Sequence, residues 1–204
     1  MGVYADRVLP RMIDLACGTG AIHRQRVQVA EGLSGTVVEI GFGSGLNLPA
    51  YPPEVDVVLA VEPAGRARTL AQKRMAESPI NVRHVGLDGQ KIPLDDASCD
   101  SAMCTFTLCT IPDASAALAE LRRVVKPGGR FHFLEHGLSP EASVAKWQYR
   151  LDPIEKRVAG GCHLTREPLR LIADAGFEIE TSESAYIKGP KPWSWLTKGT
   201  AINT

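Results

Sequence analysis

Residues 36–45 have the sequence TVVEIGFGSG, a short β-branched run followed by three glycines at alternating positions. Val, Ile and Thr are typical of buried strands, and glycine lets a backbone turn sharply or approach a ligand closely. A strand that ends in such a loop is typical of the ligand-binding edge of an open α/β sheet. The stretch therefore predicts the first strand of a parallel sheet, with a ligand held against Gly41, Gly43 and Gly45.

An acidic residue at the end of the next strand completes this kind of site, because it accepts hydrogen bonds from the hydroxyls of a ribose. The next apolar run, VDVVLAV at 55–61, is followed directly by Glu62, which lies 17 positions after Gly45. This agrees with the separation of about 20 residues expected for such an acid. Glu62 is therefore the predicted ribose ligand, with Pro63 beside it.

The glycine spacing argues against a nicotinamide dinucleotide, whose loop has the pattern Gly-x-Gly-x-x-Gly. Neither the register from Gly41 nor the register from Gly43 places a glycine at the sixth position. The loop fits Glu-x-Gly-x-Gly-x-Gly instead, beginning at Glu39. We include Glu39 and Asn47, which flank the three glycines, among the cofactor-binding candidates.

A second string, DLACGTG at 14–20, matches the glycine pattern equally well. As the ligand loop it would require a helix over 21–31, where the pattern is polar and poorly amphipathic, and it would leave the loop at 39–45 unexplained. We therefore predict that 14–20 is a turn that can still fold over the ligand. The turn belongs to an N-terminal helical extension at 1–35, ahead of the main domain at 36–204.

Strand-like and helix-like runs alternate after residue 36, which predicts a parallel sheet covered by helices. The predicted strands lie at 37–40, 55–61, 80–85, 99–106 and 130–134, with two more within 177–187 and 195–203. The predicted helices cover 64–77, 113–126 and 165–175, and Thr165 is the expected cap of the last one.

Composition excludes several classes of protein. The 204 residues include 23 basic and 23 acidic side chains, so the chain lacks the basic footprint of a nucleic-acid-binding protein. Its five cysteines include no Cys-x-x-Cys pair, so we expect no disulfide framework and no metal site, and we interpret Cys104, Cys109 and Cys162 as small buried hydrophobes. No apolar run approaches the roughly 20 residues that span a bilayer. These features predict a cytoplasmic protein without a nucleic-acid partner or stable membrane insertion.

Four stretches together resemble the class I S-adenosylmethionine (SAM) dependent methyltransferases. They are 39–45, VEP at 61–63, DGQKIPLDDASCD at 88–100 and VKPGG at 125–129. The resemblance implies SAM as the cofactor and a Rossmann-like three-layer α/β sandwich, with a mostly parallel seven-stranded sheet whose last strand is antiparallel. It also implies that Asp88 binds the adenine amino group and that the backbone of Gly89 contacts the ring. Thr105 joins these candidates because it ends the fourth predicted strand, where ligands bind in open sheets.

Further stretches are similar to a narrower group, the thiol S-methyltransferases of the methyltransferase-like proteins in animals. They are CTFTLC at 104–109, EH at 135–136, WQ at 147–148, LDP at 151–153 and GCHLTR at 161–166. Those proteins methylate small alkyl thiols and carry an N-terminal membrane anchor, which we do not expect here. The resemblance implies methyl transfer from SAM to a small, fairly apolar acceptor, a thiol above all. A quinone precursor, a phenol or a lipid amine as acceptor, or a SAM-binding protein without turnover, are the alternatives.

A thiol acceptor, whose pKa is near 8.5, must lose its proton, and histidine is suited to accept it. His136, at the end of the fifth strand, is the first candidate for the base and His163 is the second; a structural role is the alternative for each. Phe106, Glu135 and Trp147 are the candidates for contacts with the substrate.

Overall fold

The computed structural model describes Tyr4 and residues 8–204. The helices are α1 (Leu9–Cys17), α2 (Gly20–Ala30), α3 (Gly65–Glu77), α4 (Ala114–Val124), α5 (Ala142–Val158), α6 (Pro168–Asp174) and α7 (Lys191–Ser194), with a short 3-10 helix at Leu48–Ala50. The strands are β1 (Gly35–Ile40), β2 (Val55–Val61), β3 (Asn81–Gly86), β4 (Cys99–Thr105), β5 (Val125–His136), β6 (Phe177–Tyr186) and β7 (Trp195–Asn203).

These strands form one sheet in the order β3-β2-β1-β4-β5-β7-β6. Strands β1 to β5 pair in parallel, whereas β7 runs antiparallel to both of its neighbours, β5 and β6. The connection at 187–194 is too short for a crossover, so β6 and β7 can pair only as a hairpin. The predicted sheet of seven strands with an antiparallel last strand is confirmed.

Alternation along the strands supplies both faces of the sheet with apolar side chains. On β1, Val38 and Ile40 belong to the core that contains Leu118 of α4. Val37 points to the opposite face, where the core contains Ala71 of α3. Helices therefore cover both faces of the sheet, which gives the predicted three-layer sandwich.

The described part of the N-terminal segment contains α1 and α2, and α2 covers most of the polar run at 21–31. The Thr19 hydroxyl accepts a hydrogen bond from the Ile22 N–H at 3.5 Å and caps α2. Val29 and Ala30 are buried in the core on the α3 side, and the Val29 carbonyl lies 2.6 Å from His132 Nδ1 on β5. Burial of a few apolar residues against the sheet outweighs the polar pattern. Residues 1–3 and 5–7 of the predicted extension lie outside the described residues, and the division at 35/36 stays a prediction.

The last predicted helix begins later than expected. Helix α6 starts at Pro168 with Glu167 as its N-cap, and the Thr165 hydroxyl instead donates a 3.3 Å hydrogen bond to Asp152. The expected cap is therefore wrong, because α5 supplies a partner that the local sequence does not reveal. Within the described chain, no helix combines the length and apolar character needed to cross a membrane.

Candidate functional site

A cavity of about 790 Å³ lies at the carboxyl ends of the parallel strands, between the loops that follow β1, β2, β3 and β4. Helices α1 and α2 contribute further residues to its wall, as does the turn after α5. The cavity brings together these predicted site residues: Gly41, Gly43, Asn47, Glu62, Pro63, Asp88, Gly89, Thr105, Phe106 and His163. The switch of strand order between β1 and β4 opens the crevice at this position.

The three glycines of the loop after β1 all have positive φ, but for different reasons. Gly41 has φ +70°, and a Cβ there would overlap the Thr107 side chain. Gly43 has φ +58° and faces open space, because the nearest atom to a Cβ would be the Gly41 carbonyl oxygen at 3.7 Å. Gly45 packs against Leu48, whose Cδ1 would lie 3.2 Å from a Cβ. Of the three glycines, only Gly43 leaves open space in which a ligand could lie.

The Glu62 carboxylate closes this loop from the end of β2. One of its oxygens accepts a hydrogen bond from the Gly43 N–H at 2.7 Å, and the other accepts from the Ala64 N–H at 2.7 Å. Burial raises the pKa of Glu62, while these two backbone donors act in the opposite direction. Each oxygen retains a lone pair for a further donor, so the group can still bind a pair of hydroxyls.

Sequence reasoning missed Arg26, a buried residue of α2 that lines the cavity floor. Its guanidinium donates to the Asn47 side-chain oxygen at 2.5 Å and to the Thr105 hydroxyl at 2.6 Å, and it lies 5.4 Å from the centre of the Phe106 ring. The Arg26 Nε has no hydrogen-bond partner among the described residues. No local motif marks this arginine, since 79 residues separate it from Thr105.

Glu39 and Gly45 are not among the described residues that line the cavity, so the direct ligand contacts predicted for them are corrected. Glu39 is fully buried and accepts hydrogen bonds from the Asn47 amide at 2.7 Å and from the Tyr51 hydroxyl at 2.5 Å. Burial raises its pKa to about 7, against the opposing effects of Tyr51, Asn47 and Arg26. Glu39 thus orients Asn47, which does line the cavity.

Asp88 lies at the cavity rim and is exposed to solvent. Hydrogen bonds from the Gln90 side chain and backbone N–H hold its carboxylate and lower its pKa. Gly89 beside it is buried, and a Cβ there would lie 3.0 Å from Ile111. The turn thereby presents a fixed acceptor oxygen next to a close-packed backbone.

The string at 14–20 is the end of α1 and the cap of α2, so its strand-and-loop interpretation is excluded. Its Asp14 carboxylate accepts a hydrogen bond from the Ser44 hydroxyl at 2.5 Å and pairs with Arg74 at 2.8 Å. Ser44 belongs to the glycine loop after β1. The segment lies against the predicted ligand loop and ties that loop to α3. Residues 14–17 belong to α1, so the predicted turn is limited to Gly18 and Thr19.

Two predicted substrate residues lie away from the cavity, and both predictions are corrected. The Glu135 carboxylate is fully buried and accepts hydrogen bonds from the backbone N–H groups of Thr107, Leu108 and Cys109 at 2.8–3.3 Å. It therefore fixes the loop after β4. The Trp147 side chain stands on α5, 55% exposed, with the Arg150 guanidinium over its ring.

The two candidate histidines have different surroundings. His163 is half-buried and lines the cavity, with its Nδ1 3.2 Å from the Cys109 carbonyl oxygen. His136 is buried behind this wall, with its Nε2 2.8 Å from the Cys162 sulfur. Of the two candidates, only the second, His163, lines the cavity, whereas His136 does not.

Two cysteine side chains lie close to His136. Cys109, His136 and Cys162 offer ligand atoms that all lie within 4.8 Å of one another. A hydrogen bond from Cys162 lowers the pKa of Cys109 well below its ordinary value against the effect of burial, and the His136 charge acts in the same direction. Burial lowers the pKa of His136, but the Cys109 sulfur outweighs it and raises that pKa to about 9. The three side chains thus lie together although they come from three separate segments of the chain.

Comparisons with known proteins agree with the observed fold. The family described as "Methyltransferase domain" matches residues 38–133. The chain is 37% identical over 175 residues to thiol S-methyltransferase TMT1B of Rattus norvegicus, covering 82% of this chain and 68% of the relative. It is 32% identical over 167 residues to thiol S-methyltransferase TMT1A of Homo sapiens, covering 78% and 65% of the two chains. A solved structure of geranyl diphosphate methyltransferase in complex with SAM shares the fold, with a TM-score of 0.68 at 16% identity over 100% of this chain and 92% of that one.

Proposed function

Because the chain belongs to the class I SAM-dependent methyltransferases, in the group that includes the thiol S-methyltransferases, we propose that its acceptor is a small, fairly apolar thiol. The coarser activity, methyl transfer from SAM, follows from family membership. The observation that carries the acceptor proposal is the apolar part of the cavity wall, which is formed by Leu9, Ile13, Ile111 and Pro112. Among its described lining residues, His163 offers the single imidazole.

The residues of the cavity fit SAM. Gly43 leaves space against the loop, and Glu62 offers two acceptor oxygens beside it. Arg26 is a buried cation with an Nε–H that lacks a partner among the residues described. An unsatisfied buried donor is costly, so this position favours an anionic ligand group. When bound, SAM supplies a methyl group carried on a positively charged sulfur.

We assign the parts of SAM to residues by their chemistry. Glu62 would accept hydrogen bonds from the ribose hydroxyls, and Asp88 with Gly89 would hold the adenine. Arg26 would bind the carboxylate of the methionine part, since a guanidinium forms strong charge-assisted hydrogen bonds with carboxylates. Asn47 already bonds to Arg26 and would keep it in place.

His163 is the proposed proton acceptor for the thiol. The Cys109 carbonyl oxygen beside its Nδ1 can only accept a hydrogen bond. Nδ1 therefore carries the hydrogen, and Nε2 keeps a lone pair that can take the thiol proton. This contact fixes the tautomer that a general base requires.

Apolar side chains would align the acceptor and keep water away from it. Leu9 and Ile13 of α1 form one part of the wall, and Ile111 and Pro112 after β4 form another. Positioning and exclusion of water account for much of the rate of a direct displacement. An alkyl thiol is apolar except at its reacting group, so it suits this lining.

The test uses the purified chain and SAM labelled in its methyl group. Acceptors of matched size are offered in parallel: short alkyl thiols, phenols, primary amines and a quinol. We expect labelled thioether, with S-adenosylhomocysteine as the second product. Transfer to a phenol, amine or quinol in preference to every thiol would refute the acceptor proposal. Tight binding of S-adenosylhomocysteine without transfer to any acceptor would favour the non-catalytic alternative.

A further inference from the structure

The buried group of Cys109, His136 and Cys162 lies just outside the cavity, in the part of the chain where three connections meet. Cys109 belongs to the loop after β4, His136 is the last residue of β5, and Cys162 lies in the turn after α5. Their ligand atoms all lie within 4.8 Å of one another, and each side chain is at most 8% exposed. We propose that these three residues bind one Zn²⁺ ion, which fastens the wall of the acceptor cavity.

The donor atoms suit zinc. Two sulfurs and one imidazole nitrogen are soft or borderline ligands. They favour Zn²⁺ over Mg²⁺ and Ca²⁺, which prefer oxygen ligands. In a tetrahedral site, Zn–S bonds of about 2.3 Å and Zn–N bonds of about 2.0–2.1 Å imply a separation of about 3.6 Å between sulfur and nitrogen and of about 3.8 Å between the two sulfurs. The contact between His136 Nε2 and Cys162 Sγ, 2.8 Å in this structure, would lengthen by about 0.8 Å to admit the ion.

Charge balance also favours the ion. Two thiolates neutralise a divalent cation, so the occupied site would add no net charge to the protein interior. Without the cation, two buried sulfurs and an imidazole can balance charge only by sharing protons, and buried ions are costly unless closely paired. The described residues supply three ligands to this group, which leaves the fourth position for water or an added thiol, as in zinc sites with three protein ligands.

The ion would act on the cavity through the backbone. The His163 N–H donates a 2.7 Å hydrogen bond to the Cys109 carbonyl oxygen, so the loop after β4 and the turn after α5 are already joined beside the cluster. Thr110 and Gly161, the neighbours of the two cysteines, line the cavity. A metal bond between these segments would fix the position of His163. The zinc proposal does not depend on the identity of the methyl acceptor.

The test measures metal binding in the full chain, produced without a metal-binding tag and stripped by a chelator under reducing conditions. Zn²⁺ and Co²⁺ are each titrated alone. We expect one equivalent of either ion per chain, a sulfur-to-cobalt charge-transfer band in the near ultraviolet, and a higher melting temperature with Zn²⁺. Cys109→Ser and Cys162→Ser should abolish the band. The matched control is Cys99→Ser, which alters a buried cysteine at the opposite end of β4.

A measurement on the unaltered chain tests the proposal even if the cysteine variants fail to fold. Zn²⁺ should protect Cys109 and Cys162 from alkylation, located by mass spectrometry, while the half-buried Cys17 keeps its reactivity. Substoichiometric binding without a charge-transfer band, or equal alkylation of Cys109 and Cys162 with and without Zn²⁺, would overturn the proposal. Retention of the cobalt band in folded Cys109→Ser would do the same.

Discussion

The Gly43 N–H donates a 2.7 Å hydrogen bond to the Glu62 carboxylate, which joins the loop after β1 to the end of β2. Two features that the sequence places 19 positions apart thus form one unit at the edge of the sheet. The bond orients the carboxylate toward the ligand side of the loop and places both residues in the cavity wall. It makes Glu62 the first residue to test.

Replacing Glu62 by Gln should weaken binding of S-adenosylhomocysteine by roughly 10- to 100-fold, since hydrogen bonds to charged groups contribute about 1.5–3 kcal/mol. Isothermal titration measures this loss. Glu77→Gln, at the exposed end of α3, is the matched control and should bind normally. An unchanged affinity in Glu62→Gln would show that the ribose is bound elsewhere.

Gly43→Ala should reduce cofactor affinity more than it reduces stability. Any alanine at positive φ costs roughly 1–2 kcal/mol, so the control must include the same strain. Gly32 has φ +84° and no atom within 4 Å of a Cβ, and Gly32→Ala should lose stability while binding normally. Thermal melts and titration with S-adenosylhomocysteine compare the two variants. Equal affinities would mean that no ligand approaches Gly43.

Arg26→Met should lower the affinity for S-adenosylhomocysteine at least tenfold but change the affinity for methylthioadenosine little. The second ligand lacks the carboxylate that we assign to Arg26, so the difference isolates that contact. Arg24→Met removes an exposed arginine from the same helix and should affect neither ligand. If Arg26→Met weakens both ligands equally, its role is to support the fold of the cavity.

His163→Asn should lower kcat for an alkyl thiol by roughly 10²- to 10⁴-fold, the usual contribution of a general base. The loss should shrink for an aromatic thiol, which is a stronger acid and needs less help to ionise. Initial rates with both acceptors measure the effect. His23→Asn changes a histidine of α2 and serves as the control. A loss of the same size for both thiols would argue for a positioning role.

Glu39→Gln should change how stability varies with pH. Burial raises the pKa of Glu39 from an ordinary 4.5 to about 7, so between these values the folded chain holds a proton that the unfolded chain has released. The free energy of unfolding should therefore fall as pH rises through this window, by an amount on the order of 3 kcal/mol.

Urea denaturation from pH 4.5 to 7.5 tests this prediction. The unaltered chain should lose stability relative to Glu39→Gln as the pH rises. Glu178→Gln, which removes an exposed carboxylate from β6, should follow the unaltered chain. Parallel curves for Glu39→Gln and the unaltered chain would show that Glu39 titrates alike in both states.

Much of the fold was predictable because its signals are local. The run at 36–45 identifies a strand and its loop, the alternation of short apolar runs and helical runs predicts the sheet, and Glu62 follows its strand at the expected distance. The antiparallel last strand came from family resemblance. The bounds of the helix over Gly20–Ala30 within the N-terminal extension were not predicted, because this helix is held by burial of Val29 and Ala30 against the sheet.

The candidate residues for substrate contacts were less predictable than the residues of the glycine loop. Glu135 and Trp147 stand in segments that resemble a known group, yet one supports a loop and the other faces solvent. Resemblance along a segment marks it as important without stating which way each side chain points. The proximity of Cys109, His136 and Cys162 was not predictable either, because residues from three distant segments have no spacing pattern along the chain.

Local patterns were enough to predict the glycine loop, the acidic residue that follows it and the class of sheet, because each depends on residues close together in the chain. The contacts between distant segments are visible only in the folded molecule: Arg26 reaches Thr105, His163 rather than His136 lines the cavity, and Cys109 and Cys162 meet at His136. Strand order brings these segments together, because β4 lies between β1 and β5 and the loops beyond their carboxyl ends converge on one edge. The separation of these residues along the chain does not indicate that they lie close together in the fold.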